Sequence, residues 1–166
     1  MIKLYKEQDG VLYYWETWNR TPKSATIHWG VVGERGEVKF VRTTSQAKLA
    51  ALVQEEVYKK REEGYTESNT EALLEIEYVA KTMSPARLKK LHRLGERLDQ
   101  LMGWTGLGHL DGNGIGFGKM DITVVVVDYE IAKRVIAADL EDTEFGRYLS
   151  ISKVEMDEDY TKEEAE

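Results

Sequence analysis

Short runs of alternating apolar and polar residues fill the chain from residue 2 to residue 43 and predict four β-strands. The runs are IKLYK at 2–6, VLYYWETW at 11–18, ATIHWGVV at 25–32 and EVKFVRT at 37–43. Asp9-Gly10 is a typical two-residue hairpin turn, Pro22 lies in the loop at 19–24, and GERG at 33–36 connects the last two runs. Because each connection is short, the pattern predicts an antiparallel meander.

The hydrophobic period changes from two to about 3.6 residues after Ser45, which predicts a helix. The residues that share its apolar face are Leu49, Leu52, Val53 and Val57. Thr44 or Ser45 is the predicted N-cap, and Gly64 is the predicted end of the helix. The first domain is therefore predicted at residues 1–66, and the polar, turn-rich residues 65–72 are the predicted linker.

The second half predicts the order β-α-β-β-α-β, which is the pattern of a ferredoxin-like domain at residues 73–154. The predicted strands are LLEIEYVA at 73–80, WTGLGHL at 104–110, KMDITVVVV at 119–127 and YLSISKV at 148–154. WTGLGHL also fits a loop, so the second strand has two interpretations. ITVVVV is the most apolar stretch of the chain, which predicts a central strand.

Two helices are predicted between these strands. The first begins at Ser84-Pro85, where serine caps and proline takes the first helical position, and it ends at Gly103. Its apolar face comprises Leu88, Leu91, Gly95, Leu98 and Met102. The second helix is capped by Asp128, and its apolar face comprises Ala132, Val135, Ile136 and Leu140. The predicted fold class is α+β, with an N-terminal antiparallel sheet and one helix before a C-terminal ferredoxin-like unit.

Residues 106–118, GLGHLDGNGIGFG, form a glycine-rich arm that resembles ligand-binding motifs only superficially. A phosphate-binding P-loop needs serine or threonine after Lys119 and then a helix, whereas Met120 and a predicted strand follow. A calcium loop needs oxygen ligands where Ile115 and Ile122 lie. Glycine as a turn former explains the arm, and an arm of this length could also contact a partner.

The charges are unevenly distributed along the 166 residues, of which 32% are charged. Residues 1–66 carry 11 basic and 9 acidic side chains, whereas residues 155–166 carry seven acidic side chains and one lysine. This acidic tail has too little apolar surface to fold by itself. It predicts either a solubilising tail or a contact site for a basic partner. Its candidate partner-binding residues are Asp157, Glu158, Asp159, Glu163 and Glu164.

The sequence contains no cysteine, which excludes disulfide bonds, thiolate nucleophiles and cysteine-based zinc sites. Its N-terminus lacks the pattern of a signal peptide, and its longest apolar run, ITVVVV, is too short to cross a bilayer. We therefore expect a cytoplasmic protein without a membrane partner.

The residues of the first domain resemble the WGR family. LYYWETW is followed by ATIHWGVVGERGEVKFVRTT and by a helix that leads into Gly64-Tyr65. The matching positions are Trp29-Gly30, Gly33, Gly36, the helix from Gln46, and Gly64-Tyr65. The resemblance covers residues 1–66 and implies a small antiparallel sheet with one packed helix. WGR domains occur beside the catalytic domains of poly(ADP-ribose) polymerases, where they help to bind DNA ends, and in many bacterial proteins.

The resemblance makes Trp29 a candidate for stacking on a base or sugar, although its neighbours Ile27 and Val31 favour a core residue. The candidate nucleic-acid-binding residues are Trp29, Arg20, Lys23, Arg35, Lys39 and Arg42. Two features oppose this function. Glu34 and Glu37 interrupt the basic rim, and Val31 takes the place of the family's arginine. Nucleic acid is therefore the alternative partner rather than the leading one.

No group of residues indicates catalysis. His28, His92 and His109 are scattered along the chain, no nucleophile motif occurs, and no pair of carboxylates is distinguished from the others. We therefore expect no catalytic, metal-binding or cofactor-binding residues. The sequence predicts a non-enzymatic protein that binds another protein in a bacterial regulatory or toxin-neutralising (immunity-type) role. The alternative is a WGR protein that binds nucleic acid.

Overall fold

A computed structural model describes residues 1–68, 71–80, 82 and 84–154 of the chain. These residues form eight strands and three helices, in agreement with the predicted α+β class. The strands before residue 45 make one antiparallel sheet and those after residue 71 make another. Close packing divides the chain into two units. Unit 1 contains Met1–Thr70 and Gln100–Gly108, and unit 2 contains Glu71–Asp99 and His109–Glu166.

The sheet of unit 1 is the predicted antiparallel meander. Its strands are β1 (Ile2–Gln8), β2 (Val11–Thr21), β3 (Ser24–Val31) and β4 (Glu37–Arg42), and they pair in that order. Asp9 and Gly10 have φ angles of 54° and 76°, which is the geometry of the predicted two-residue turn. The loop predicted at 19–24 is shorter than expected, because β2 and β3 remain paired as far as Thr21 and Ser24.

Helix α1 (Gln46–Glu62) packs on one face of this sheet, which we call the helix face. Its predicted cap is confirmed, because the Ser45 side chain accepts a hydrogen bond from the Lys48 N–H. Gly64 follows the helix with a φ of 93°, as predicted for a terminating glycine. The buried core between sheet and helix comprises Leu4, Trp15, Ile27 and Val57.

The opposite surface of the sheet, which we call the second face, holds Gln100–Gly108. The Tyr5 hydroxyl donates a hydrogen bond to the Gly106 carbonyl at 2.9 Å, and the Gly33 N–H donates to the Thr105 carbonyl at 2.8 Å. The predicted domains at 1–66 and 73–154 assign this segment to the second domain. The structure differs, because these long-range hydrogen bonds attach the segment to unit 1.

Unit 2 has the predicted β-α-β-β-α-β order. Its elements are β5 (Ala72–Val79), α2 (Pro85–Trp104), β6 (Gly108–Gly116), β7 (Lys119–Val126), α3 (Tyr129–Leu140) and β8 (Ser150–Val154). The strands lie in the order β6-β7-β5-β8, so β7 separates β5 from β6, and β5 separates β7 from β8. This is the split βαβ arrangement of a ferredoxin-like sheet. The apolar strand β7 is central, as predicted.

The core of unit 2 lies on one face of its sheet. Leu74, Ile76 and Tyr78 alternate along β5 and pair with Val124, Ile122 and Met120 of β7, and all six are buried. The buried hydrophobic residues of the unit's helices are Leu91, Leu94 and Leu98 of α2, and Ala132, Ile136 and Leu140 of α3. Asp128 caps α3 as predicted, since its carboxylate accepts the Ile131 N–H at 2.8 Å.

The glycine-rich arm at 106–118 is a strand for most of its length. β6 covers residues 108–116, whereas the sequence predicts a strand only at 104–110 and a turn-forming arm afterwards. Pairing with β7 supplies partners for the backbone, which overrides the poor strand propensity of glycine. The turn itself is limited to Phe117 and Gly118, which have φ angles of 50° and 82°. Helix α2 also passes its predicted end at Gly103 and stops at Trp104.

Candidate functional site

Strand β4 forms an open edge of the unit 1 sheet. The opposite edge strand, β1, is bridged to Thr66, whose backbone exchanges hydrogen bonds of 2.7 and 2.9 Å with Tyr5. No strand among the described residues pairs with the outer side of β4. An uncovered edge presents backbone N–H and C=O groups that can pair with another chain.

The side chains of β4 alternate between the two faces of the sheet. The helix-face residues are Glu37, Lys39 and Val41, and the second-face residues are Val38, Phe40 and Arg42. Phe40 is 65% exposed and Val38 is 37% exposed. The second face of β4 therefore offers two apolar side chains to solvent, next to the exposed guanidinium of Arg42.

The guanidinium of Arg20 packs on the Phe40 ring, with Cζ 4.9 Å from the ring centroid. Arg20 lies at the point where the register of β2 and β3 shifts, between Asn19 and Thr21. A cation–π contact at an exposed site contributes about 0.5–1 kcal/mol. The contact therefore holds Arg20 beside the open strand, although it leaves most of the Phe40 side chain accessible.

A shallow groove of about 450 Å³ lies beside the Arg20–Phe40 pair, and we call it the Phe40 groove. It is lined by Arg20, Thr21, Ser24, Ala25, Phe40, Val41 and Arg42. Two of these side chains are arginines and none is a carboxylate. Because guanidinium groups form paired hydrogen bonds with carboxylates and phosphates, the groove suits an anionic ligand.

The structure brings two of the predicted nucleic-acid-binding residues, Arg20 and Arg42, into the Phe40 groove. Lys39 lies on the helix face of β4. Lys23 lies in the β2–β3 turn, and Arg35 lies in the β3–β4 turn. The predicted basic rim is therefore distributed over two faces and two turns.

Trp29 lies on the helix face, away from the Phe40 groove. It is partly buried, packs against the core cluster and has Trp15 as its cross-strand partner. Its packing against the core cluster favours the core interpretation over a stacking role.

A chain of four polar side chains crosses the second face of unit 1. Glu16 Oε1 lies 2.7 Å from His28 Nδ1, and Glu16 Oε2 lies 3.6 Å from Lys3 Nζ. His28 Nε2 lies 2.9 Å from the Tyr14 hydroxyl oxygen. His28 is only 1% exposed and Tyr14 is fully buried. A substrate therefore has no access to this network, which satisfies the buried polar groups of the sheet.

The ring of His28 contacts three aromatic rings edge-on. Their centroids lie 4.9 Å away for Tyr14, 6.3 Å for Trp18 and 5.2 Å for Trp104. Trp104 ends helix α2 and belongs to the segment assigned to unit 1. Its indole is 40% exposed, so one side seals the network and the other meets solvent.

Three glycines make room for Tyr14. A Cβ atom added at Gly36 or Gly106 would collide with the Tyr14 side chain, and one at Gly30 would crowd it. Burial raises the pKa of Tyr14 to about 12, although a hydrogen bond from the Gly36 N–H acts in the opposite direction. Tyr14 therefore keeps its proton at neutral pH. Gly30 and Gly36, which carry part of the WGR resemblance, are explained by this packing and by the close approach of the Trp29–Gly30 backbone to Gly36.

Two residues of this region, Phe40 and Trp104, were not predicted from the sequence. The alternation of β4 places Phe40 on the opposite face from Lys39 and Val41, but it does not show whether that face is covered. No local pattern connects Trp104 with His28, because the two residues lie in distant segments of the chain.

Within the described ranges, no group of three or more His, Asp or Glu side chains is arranged to hold a metal ion. No helix in those ranges is long and apolar enough to cross a membrane. The predicted partner-binding residues Asp157, Glu158, Asp159, Glu163 and Glu164 lie outside the described residues. No family model matches the chain, and neither a curated protein nor a solved structure is significantly similar to it.

Proposed function

We propose that this chain is a non-enzymatic binding protein, and that it binds an extended segment of another protein along β4. The observation that carries the proposal is the open edge of β4 beside the Phe40 groove. A peptide added to a sheet edge gains affinity from backbone hydrogen bonds and specificity from the pockets that receive alternate side chains.

The chemistry of the groove favours acidic side chains in the bound segment. Arg20 and Arg42 supply guanidinium donors, and Phe40 supplies an apolar surface between them. In a strand paired with β4, every second side chain would point toward this groove. The expected ligand therefore carries acidic or apolar side chains at every second position, on the face that meets the groove.

The remaining charges of β4 oppose indiscriminate pairing. Glu37 and Lys39 lie on the helix face of the strand and are exposed. Charged residues on an edge strand reduce aggregation through that edge. A second copy of the chain would bring like charges together in some registers, whereas a complementary partner would not.

Site-specific photo-cross-linking tests this proposal. A photoreactive amino acid at Val38, introduced into the chain in its native cell, should cross-link one protein, which is then purified for binding measurements. Phe40→Ala should lower its affinity by about tenfold or more, as for a central interface residue. Phe117→Ala, which alters a fully exposed phenylalanine of unit 2, is the matched control.

Hydrogen exchange distinguishes strand addition from other modes of binding. Backbone amides of Glu37–Arg42 that point away from β3 should become protected when the partner binds. Protection of amides in α1 but not in β4, or an unchanged affinity of Phe40→Ala, would contradict docking at β4.

Nucleic acid is the second candidate, favoured by the two arginines and exposed phenylalanine of a groove without carboxylates. The WGR resemblance also supports it. Val31 in place of the family's arginine and the core contacts of Trp29 weigh against it. A fluorescent oligothymidine of about 15 nucleotides, titrated at about 50 mM salt, tests this candidate. Binding that is lost in Arg42→Gln would favour nucleic acid over protein.

In its concrete form, the proposed role is regulatory or toxin-neutralising, in a bacterium. The acidic residues 155–166 would then add a salt-dependent contact with a basic part of the partner. Deleting these residues should weaken binding at low salt and leave it unchanged at high salt. Equal affinity of the truncated and unmodified chains at low salt would show that residues 155–166 do not contribute to binding.

A further inference from the structure

The hydroxyl of Tyr14 has more neighbours than it has hydrogens. It lies 2.9 Å from His28 Nε2, 2.9 Å from the Gly36 nitrogen and 3.3 Å from the Glu34 carbonyl oxygen. The Gly36 N–H donates to the hydroxyl, which therefore accepts there. The single hydroxyl hydrogen can go either to His28 Nε2 or to the Glu34 carbonyl, but not to both.

The protonation state of His28 decides between these two arrangements. The Glu16 carboxylate, 2.7 Å from Nδ1, keeps a hydrogen on that nitrogen in either state. In the neutral ring, Nε2 accepts the hydrogen of Tyr14. In the charged ring, Nε2 carries its own hydrogen and donates it to the Tyr14 oxygen.

We propose that His28 and Tyr14 form a proton-operated switch on the β3–β4 turn. Protonation of His28 Nε2 redirects the Tyr14 hydrogen to the Glu34 carbonyl, so the turn is held by two bonds, at Glu34 and at Gly36. Loss of that proton returns the hydrogen to His28 and leaves only the bond from Gly36. The proton comes from solvent and returns to it, and no other bond changes.

The switch acts on the strand that we propose as the docking edge, and its regulatory meaning rests on that proposed function. The turn residues Glu34 and Gly36 directly precede β4, which begins at Glu37. A turn held at both positions orders the start of β4 and reduces the entropy lost when a partner strand pairs with it. Docking at β4 should therefore be tighter when His28 is charged.

The surroundings of His28 contain few other ionisable groups. From β2 it faces Glu16 and Tyr14, and from β1 the ammonium of Lys3 approaches Glu16. Its cross-strand partner on β4 is Val38. The charged residue on the second face of β4 is Arg42. The segment Gln100–Gly108 contributes Trp104 and contains no ionisable side chain.

An NMR titration of the whole chain without a partner tests the switch. The imidazole signals of His28 and the amide signals of Arg35 and Gly36 are followed between about pH 5 and pH 8. The Arg35 amide reports on the carbonyl of Glu34, to which it is covalently joined. The expected result is a single midpoint shared by all three residues. Different midpoints, or a His28 ring that does not titrate, would overturn the switch.

Substitutions separate the hydroxyl from other sources of pH dependence. In Tyr14→Phe, His28 should still titrate, and the shifts of Arg35 and Gly36 should no longer follow it. Persistence of those shifts would exclude the hydroxyl as the link. Glu34→Gln keeps the carbonyl and removes the carboxylate, so it should retain the shared midpoint, as should His92→Gln and His109→Gln. If Tyr14→Phe fails to fold, the midpoints of the unmodified chain decide.

The outcome is independent of the proposed docking function. The titration uses no partner, so a failed switch leaves the Phe40→Ala binding test unaffected. A confirmed switch with no partner at β4 would instead show a pH-dependent turn without a docking role.

Discussion

The indole of Trp104 lies edge-on to the imidazole of His28, with the ring centroids 5.2 Å apart and the ring planes at 68°. This contact joins Trp104, the last residue of α2, to strand β3 of the unit 1 sheet. It also covers one side of the polar network of Tyr14, His28 and Glu16. The sheet of unit 1 therefore depends on a segment that follows it distantly in sequence.

Trp104→Ala should lower the free energy of unfolding by about 2 kcal/mol. A fully buried tryptophan costs about 3–5 kcal/mol on truncation, and Trp104 is 40% exposed. Truncation would also admit water to the polar network. Urea denaturation, followed by circular dichroism, measures the change. Trp104→Phe retains an aromatic edge near His28 and should lose less than half as much; equal losses would show that the ring contact is unimportant.

Gly106→Ala should destabilise the chain by about 1–3 kcal/mol, because the added methyl group meets the Tyr14 ring and Gly106 has a φ of 66°. Gly112→Ala is the matched control. It lies in the same glycine-rich region, its added Cβ has no neighbour within 4 Å, and its φ is not positive. Thermal unfolding of the two variants compares them. A similar midpoint for both would contradict the close packing of Gly106 on Tyr14.

The strand and helix pattern predicted most of the fold, because local periodicity reports directly on burial. The four strands of unit 1, the cap at Ser45 and the central position of ITVVVV are confirmed. The glycine arm was interpreted wrongly. Its strand β6 is stabilised by pairing with β7, and such a tertiary interaction leaves no alternating hydrophobic signal in GNGIG.

Less of the candidate site than of the fold could be predicted from the sequence. Arg20 and Arg42 were predicted as basic residues, but their convergence on Phe40 depends on the register in which β2, β3 and β4 pair. Trp29 was a candidate stacking residue because it lies in the WGR-like motif, whereas the exposed aromatic side chain beside the two arginines is Phe40. The buried network could not be predicted, since its members come from β1, β2 and β3 and are sealed by Trp104.

Alkaline conditions should destabilise the chain between about pH 10 and pH 12. Burial raises the pKa of Tyr14 from 10.0 to about 12, and burial also raises the pKa of Tyr78, whose hydroxyl donates to the Phe145 carbonyl. The unfolded chain therefore loses these protons first as the pH increases. The stabilisation is complete below pH 10 and is lost as the pH rises through the folded-state pKa; for Tyr14 it amounts to about 2–3 kcal/mol.

Urea denaturation at a series of pH values measures this loss. Tyr14→Phe should reduce the dependence of unfolding free energy on pH in the alkaline range, although it is less stable at neutral pH. Tyr58→Phe, at a residue that is 61% exposed, is the control and should leave the dependence unchanged. If the alkaline loss in Tyr14→Phe equals that of the unmodified chain, Tyr14 is not its source.

Phe117→Asn should raise the free energy of unfolding by about 1 kcal/mol. Phe117 takes the first position of the β6–β7 turn with a φ of 50°, and its side chain is fully exposed. The left-handed conformation costs an ordinary residue about 1–2 kcal/mol, and no burial of the ring offsets it. Asn-Gly is the preferred pair for a two-residue turn with two positive φ angles, and Gly118 already occupies the second position.

Phe117→Val tests whether the backbone conformation is the cause. A β-branched residue is less tolerant of positive φ than phenylalanine, so this variant should be destabilised while Phe117→Asn is stabilised. Both substitutions remove the aromatic ring, so a contribution from the ring itself would change both variants in the same direction. Opposite shifts of the thermal unfolding midpoint would attribute the effect to the turn. A lower midpoint for both would instead indicate that the Phe117 ring makes a stabilising contact.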